Sequence, residues 1–360
     1  MAQMKGERIV VKLRKLLDAN EYYEAHQLYR TLYFRYSNSK RFEELQELLY
    51  EGADRFLSRG QFNSGADLAS LYLDAVNADA NMKLRLSDDK CCVQLSQRIA
   101  DLMHKIPSKS SERVSFMMSA LKLRSDVFPL PLIHYQFALI LWREKNFPES
   151  RYHFLHSPDT CGEDCALMLI EYHITSGYPS EVDLFIAQFI LQLLCIKKVV
   201  KNRVPIEECV ESSCSPSTSS SNGLKIIGCK SVQHAYANKA LQCFTTKHPQ
   251  IQKKNPPFLL PLLNFLWFLL LAIDSGKSST FKVLCDLYSP ILKRDPSYND
   301  YLSKIGELYF GLQSTARNRP MGGFLGNLLQ SFFEDENDNN EEETLSAGTA
   351  ANRQVDEELD

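Results

Sequence analysis

Four side chains that can ligate zinc fall within thirteen residues, as His153-x-x-His156 and Cys161-x-x-x-Cys165. Structural zinc sites take four N or S ligands in a tetrahedron, usually paired as C-x2–4-C and H-x3–5-H. The cysteine pair meets that spacing and the histidine pair is one residue short. The segment between them, Ser157–Thr160, reads as a turn between helices. Two histidines at one helix end, with two thiols acting as small apolar residues in the next helix, account for the same pattern, and that assignment is favoured. Gly276-Lys277-Ser278 ends like a phosphate-binding loop. The full loop, G-x-x-x-x-G-K-[ST], needs a glycine at position 271, which is Leu, and a preceding strand where an apolar helix is expected. A glycine closing a helix is the better assignment. No G-x-S-x-G occurs, and no Cys, His and acid form a local family signature. Carboxylate pairs such as Glu43-Glu44 and Asp88-Asp89 fall on polar helix faces or in loops. The sequence therefore assigns no catalytic residue, no metal and no cofactor.

The elements behind these residues are helical almost throughout. Ile9, Leu13, Leu16 and Leu17 recur at helical spacing, as do Tyr22, Ala25, Tyr29, Leu32 and Tyr33, with Asn20 breaking the two runs. Helices over 42–57 and 64–76 are separated by Gly60. A helix over 131–142 pairs with one begun by Asn146-Phe-Pro-Glu149, a capping-box pattern with proline in the first turn. Ser180-x-x-Asp183 and Ser297-x-x-Asp300 carry the same start signal. Roughly seven helix pairs of about 30–45 residues predict an all-α, right-handed α-solenoid, a degenerate tetratricopeptide-like array. Ala25, Ala53, Ala66 and Ala138 stand where paired helices must approach closely. Such an array offers an extended surface to partners and no inherent active site. Residues 249–261 contain Pro256-Pro257 and cannot be helical through them, so a small β-hairpin or an irregular loop is expected.

The predicted organisation is an N-terminal solenoid half over 7–198, a Ser-rich insert over 199–233, a C-terminal half over 234–333 and an acidic tail over 334–360. Disorder is expected of the insert and the tail. The chain of 360 residues has a net charge of −3, unlike a general nucleic-acid binder. That balance hides an asymmetry: residues 334–360 hold eleven acids and one base, so the remainder carries +7. The first 41 residues hold nine bases and four acids, which suits an acidic protein partner, although bases that simply solvate exposed helix faces are the commoner cause of such a surplus. The longest apolar stretch, Phe258–Ile273, is shorter than the roughly 20 residues of a membrane span and predicts a buried core helix. The first residues have no uninterrupted apolar run, so no signal peptide is expected, and ten scattered cysteines then fit reduced cytosolic thiols. Phe324, Leu325, Leu328, Leu329, Phe332 and Phe333 make 321–333 amphipathic, and a cap on the solenoid is expected there.

Six segments carry a resemblance: Glu21–Thr31 (EYYEAHQLYRT), Asn63–Leu68 (NSGADL), Glu149–Ser157 (ESRYHFLHS), Ser180–Phe185 (SEVDLF), Pro256–Leu271 (PPFLLPLLNFLWFLLL) and Gly322–Leu329 (GGFLGNLL). In order and spacing they resemble the Golgi to ER traffic protein 4 family over most of residues 8–333. The resemblance implies an α-solenoid and a non-enzymatic adaptor in post-translational targeting of tail-anchored membrane proteins to the ER. The N-terminal repeats would dock the targeting ATPase. The C-terminal half would hold a ubiquitin-like cochaperone or a Scythe-type BAG-family scaffold, the latter favoured. By motif match, Asp67 becomes a candidate regulatory acid facing the ATPase, and Lys12 and Lys15, with Arg14, candidates for its basic anchor. The family has a short connection where this chain carries 199–233. The competing reading is a structural solenoid subunit of another cytosolic assembly.

Overall fold

A period of twenty residues organises the first four helices: α1 (Ala2–Asp18), α2 (Tyr22–Asn38), α3 (Phe42–Ser58) and α4 (Phe62–Ala78), each of 17 residues. The structure, a computed structural model, describes residues 2–196 and 232–312. Between these helices the chain turns the same way each time. Asn20, Lys40 and Gly60 adopt positive φ (60°, 54° and 75°). Their N–H groups donate to Leu17, Ser37 and Leu57. The next residues, Glu21, Arg41 and Gln61, donate to Leu16, Tyr36 and Phe56. These paired bonds are Schellman closures, which satisfy the last carbonyls of a helix and set a left-handed residue behind it. An aromatic residue then opens the following helix. Lys145, at φ 62°, repeats the turn, bonding to Trp142 while Asn146 bonds to Leu141.

The chain continues through α5 (Met82–Arg85), α6 (Asp89–Lys105), α7 (Ser111–Leu121), α8 (Leu130–Arg143), α9 (Phe147–His156), α10 (Gly162–Ser176), α11 (Val182–Cys195), α12 (Val232–Lys247), α13 (Pro261–Ser275), α14 (Ser278–Leu287), α15 (Ser289–Leu292) and α16 (Ser297–Phe310). Fourteen of these have ten residues or more, which makes seven pairs among the described residues. The fold is the all-α solenoid that the periodicity predicts. Ala25, Ala53, Ala66 and Ala138 are all buried, as close helix approach demands. Gly52 serves the same end: a Cβ there would lie 2.6 Å from the Tyr29 ring.

Polar rungs two turns apart fix neighbouring helices in register. Glu47 accepts both Nη groups of Arg98 at 2.6 and 3.1 Å, and seven residues later Asp54 accepts Lys105, so α3 and α6 run alongside. The α8–α10 contact repeats the device: Tyr135 Oη donates to Asp164 at 2.8 Å, and seven residues on Trp142 Nε1 donates to Glu171 at 2.7 Å. Seven residues are two helical turns, so both rungs face the same way. The apolar interior forms two clusters, one from Leu13 to Leu141 and one from Ala138 to Ile305, and α8 contributes to both.

The structure corrects several expectations. Residues 249–260 form an irregular loop and not a β-hairpin, and no strand occurs among the described residues. The loop is held by buried Ile251 and Phe258, and the Asn264 side chain bonds both the N–H and the C=O of Phe258. Of the expected insert only Val232 and Gln233 are described, and they begin α12. The remainder of the insert, the amphipathic stretch 321–333 and the acidic tail lie outside the described residues. The start signals locate helices well, but their chemistry differs. Asn146 makes no side-chain cap. Ser297 N–H is capped by Asp295 Oδ1, while the Ser297 hydroxyl is buried without a partner.

Candidate partner interfaces

The first candidate surface begins on α1. Its apolar residues at helical spacing are consumed by packing: Leu13 and Leu17 are buried, and Leu16 is half-buried. That fixes the helix face, so Lys12, Arg14 and Lys15 are exposed, as an anchor for an acidic partner requires. Val11 lies exposed among them.

Asp67 is on α4, and its carboxylate is engaged by α2. His26 Nε2 lies 2.8 Å from Oδ2, and Arg30 Nη1 donates to Oδ1 at 3.3 Å. His26 and Arg30 are one turn apart on α2, and the His26 ring also meets the edge of Phe56, with centroids 6.2 Å apart. The Asp67 side chain remains one-third exposed. Both of its oxygens are thus shared with the chain's own cation and imidazole, so an incoming basic group must compete with Arg30. The structure joins Asp67 to His26 and Arg30, and does not pair it with the three cations of α1. Sequence reasoning missed His26 and Arg30. The twenty-residue period held the signal, because position 67 lies two helices beyond position 27.

The second candidate surface lies on α13 and α14. α13 is apolar on every side, the pattern of a fully buried helix. Leu262, Leu263, Phe265, Leu266, Leu269 and Leu270 are buried, yet Phe268 and Leu271 remain 40% and 46% exposed. Phe268 packs on Trp267, ring centroids 4.8 Å apart. On α14, Val283 and Leu287 are one turn apart and exposed, as is Leu259 in the preceding loop. The expected buried core helix therefore keeps an uncovered apolar side. Several large apolar side chains left exposed on two successive helices and the loop before them are candidates for a partner surface.

The sequence motifs with other chemistry resolve differently. His153 is buried with its Nδ1 2.9 Å from Nδ1 of His134, and burial, with His156 nearby, lowers its pKa to about 3. Cys165 is buried beside Tyr236, whose hydroxyl donates to the Phe154 carbonyl at 2.9 Å, and burial pushes the thiol well up. Cys161 is also part of the core. Among the described residues no three His, Cys, Asp or Glu converge to hold a metal. Gly276 sits at φ 65° and its N–H donates to the carbonyls of Ala272 and Ile273, closing α13. No helix among the described residues is long and apolar enough to cross a membrane.

Comparison with known proteins agrees with this architecture. The family described as Golgi to ER traffic protein 4 matches residues 39–333. The Golgi to ER traffic protein 4 homolog of Oryzias latipes is 43% identical over 330 residues, 91% of this chain and 88% of the relative. The homolog of Homo sapiens is 41% identical over 346 residues, 95% of this chain and 91% of the relative. The crystal structure of C. therm. Get4 superposes with a TM-score of 0.67 at 22% identity, covering 98% of this chain and 99% of that one, a likeness of fold. The chain belongs to the Golgi to ER traffic protein 4 family, with the role in Golgi-to-ER traffic that this membership carries.

Proposed function

We propose that this chain is a cytosolic, non-enzymatic adaptor in the targeting of tail-anchored membrane proteins to the ER. It bridges the targeting ATPase, docked on the N-terminal helices, to a client-loading complex held by the C-terminal half. A Scythe-type BAG-family scaffold is the favoured C-terminal partner over a ubiquitin-like cochaperone. One observation carries the reading: two exposed surfaces of different chemistry sit on separate core clusters of a single solenoid. One is the cationic face of α1, and the other is the apolar side of α13 and α14. A membrane tail of about 20 apolar residues is strongly penalised in water. Holding donor and acceptor on one scaffold raises their effective concentration and shortens the tail's exposure. Charged contacts at the ATPase end make docking fast and salt-sensitive.

The test is reciprocal. K12E/R14E/K15E should weaken ATPase binding at least tenfold, flatten its salt dependence and leave the C-terminal partner bound. F268E/L287E should do the opposite. ATPase binding that survives the triple reversal overturns the electrostatic docking. A chain that binds no targeting ATPase at low salt with nucleotide present is instead a structural subunit of another assembly.

A further inference from the structure

Two buried histidines far apart in sequence form a hydrogen-bonded chain whose proton positions are fixed by geometry. Gln250 N–H donates to His248 Nδ1 at 3.1 Å, so that nitrogen carries a lone pair and the proton is on Nε2. His248 Nε2 lies 3.0 Å from His173 Nδ1, which must therefore accept. His173 is left with its proton on Nε2, and it donates to the Tyr178 carbonyl at 2.9 Å. The chain of three bonds ties the start of the 249–260 loop to the end of α10 and to the turn before α11. It works only while both rings are neutral. A second proton on His248 removes the acceptor for Gln250, and one on His173 points a donor at a donor.

We infer that His173 and His248 form a latch that holds the 249–260 loop and is released by protonation. The surroundings offer an imidazolium nothing. From α10, His248 faces His173. From the loop, it faces Lys254, whose ammonium donates to the His248 carbonyl. From the end of α12, just before it in the chain, the Phe244 ring lies with its centroid 5.0 Å away. α11 presents Phe185 to His173, also at 5.0 Å, and the backbone of Gly177 is so close that a Cβ would lie 2.7 Å from His173 Cδ2. No carboxylate pairs with either ring among the described residues. Burial and the neighbouring His173 and Lys254 push His248 down to about 4. Once the loop opens, the ring regains its ordinary value near 6.5. The opening equilibrium then rises about tenfold between pH 7.5 and 5.5.

Amide exchange of the full chain, corrected for the intrinsic pH effect, tests this. Protection of residues 250–255 should fall about tenfold over that interval while α3 and α4 keep theirs. His248→Gln retains a donor toward His173 and does not titrate, so its loop protection should be independent of pH. Selective nitrogen labelling of the histidines in the unaltered chain should show both rings as Nε2–H tautomers at pH 7.5. Loop protection that ignores pH, an undiminished pH effect in His248→Gln, or an Nδ1–H tautomer at either ring overturns the latch. If His248→Gln fails to fold, the two measurements on the unaltered chain decide.

Discussion

Replacing Arg294 by alanine should be among the most damaging single changes at a partly exposed position. Arg294 Nη1 donates to Asp183 Oδ2 at 2.8 Å, and its Nη2 to the Ser180 carbonyl at 3.0 Å. The Asp183 side chain is 2% exposed and its Oδ1 has no partner, so Arg294 carries nearly all of the compensation for a buried carboxylate. Removing one member of a buried pair costs about 3–5 kcal/mol because a charge is stranded. Two features lower that cost: Arg294 is itself 35% exposed, and Asp183 lies in the first turn of α11, where peptide dipoles favour negative charge by about 0.3–1 kcal/mol. The expected loss is therefore about 3 kcal/mol, or roughly 5 °C in melting temperature for a chain of this size. Denaturant and thermal unfolding of Arg294→Ala, Asp183→Asn and the double variant measure it. Neutralising Asp183 in the Arg294→Ala background should recover about 1–2 kcal/mol. A single variant that loses less than about 1 kcal/mol, or a double variant with no recovery, refutes the stranded-charge argument.

Other consequences are as direct. Lys145 closes α8 at φ 62°, a conformation that costs a non-glycine residue about 1 kcal/mol, so Lys145→Gly should raise stability by about 0.5–1 kcal/mol in denaturant titrations. His153 acquires its proton near 6.5 in the unfolded chain but only at about 3 in the fold. The unfolded state then binds more protons between those values, and stability falls as pH drops through that window. His153→Gln, measured against the unaltered chain at pH 7 and pH 5, should remove about 2 kcal/mol of that pH dependence.

How much of this was legible depends on whether a feature is local. Helix starts and breaks at Asn20, Gly60, Phe42 and Ser297 are local, so spacing and turn residues marked them within two or three positions. The repeat itself was harder to see. Its invariant is a backbone turn, and the left-handed position is filled by Asn, Lys, Gly and Lys in succession, so no side-chain consensus survives. Asp183 shows the limit of motif reasoning. Three residues after Ser180 it resembled a cap, but its partner is 111 residues away. The exposure of Lys12, Arg14 and Lys15 was legible, because the burial of Leu13 and Leu17 dictates it. Asp67's engagement with His26 and Arg30 was not, because it depends on how α2 and α4 stack. The proline pair at 256–257 excluded a helix but could not distinguish hairpin from loop. Asn264 satisfies the Phe258 backbone groups that a strand partner would otherwise have taken.

The division of the core bears on how two partners would act through one scaffold. The first cluster ends on α8 at Leu141 and the second begins there at Ala138, so the two interiors communicate through a single helix. In stacked helical arrays stability is approximately a sum of local terms and nearest-neighbour contacts. A partner on α1 and α2 therefore stabilises the first cluster and reaches the second only through α8. The 249–260 loop, inferred above to open and close, is anchored beside α10 and α11, so a ligand on α1 and α2 makes no contact that differs between its two arrangements, and an equilibrium coupling requires such a difference. The two candidate surfaces should accordingly bind independently, with an affinity for each that is unchanged within twofold when the other is occupied. Any gain in transfer would then come from proximity alone. Titrating one purified partner with and without saturating amounts of the other measures this, and a tenfold shift in either affinity would require a conformational change passing through α8.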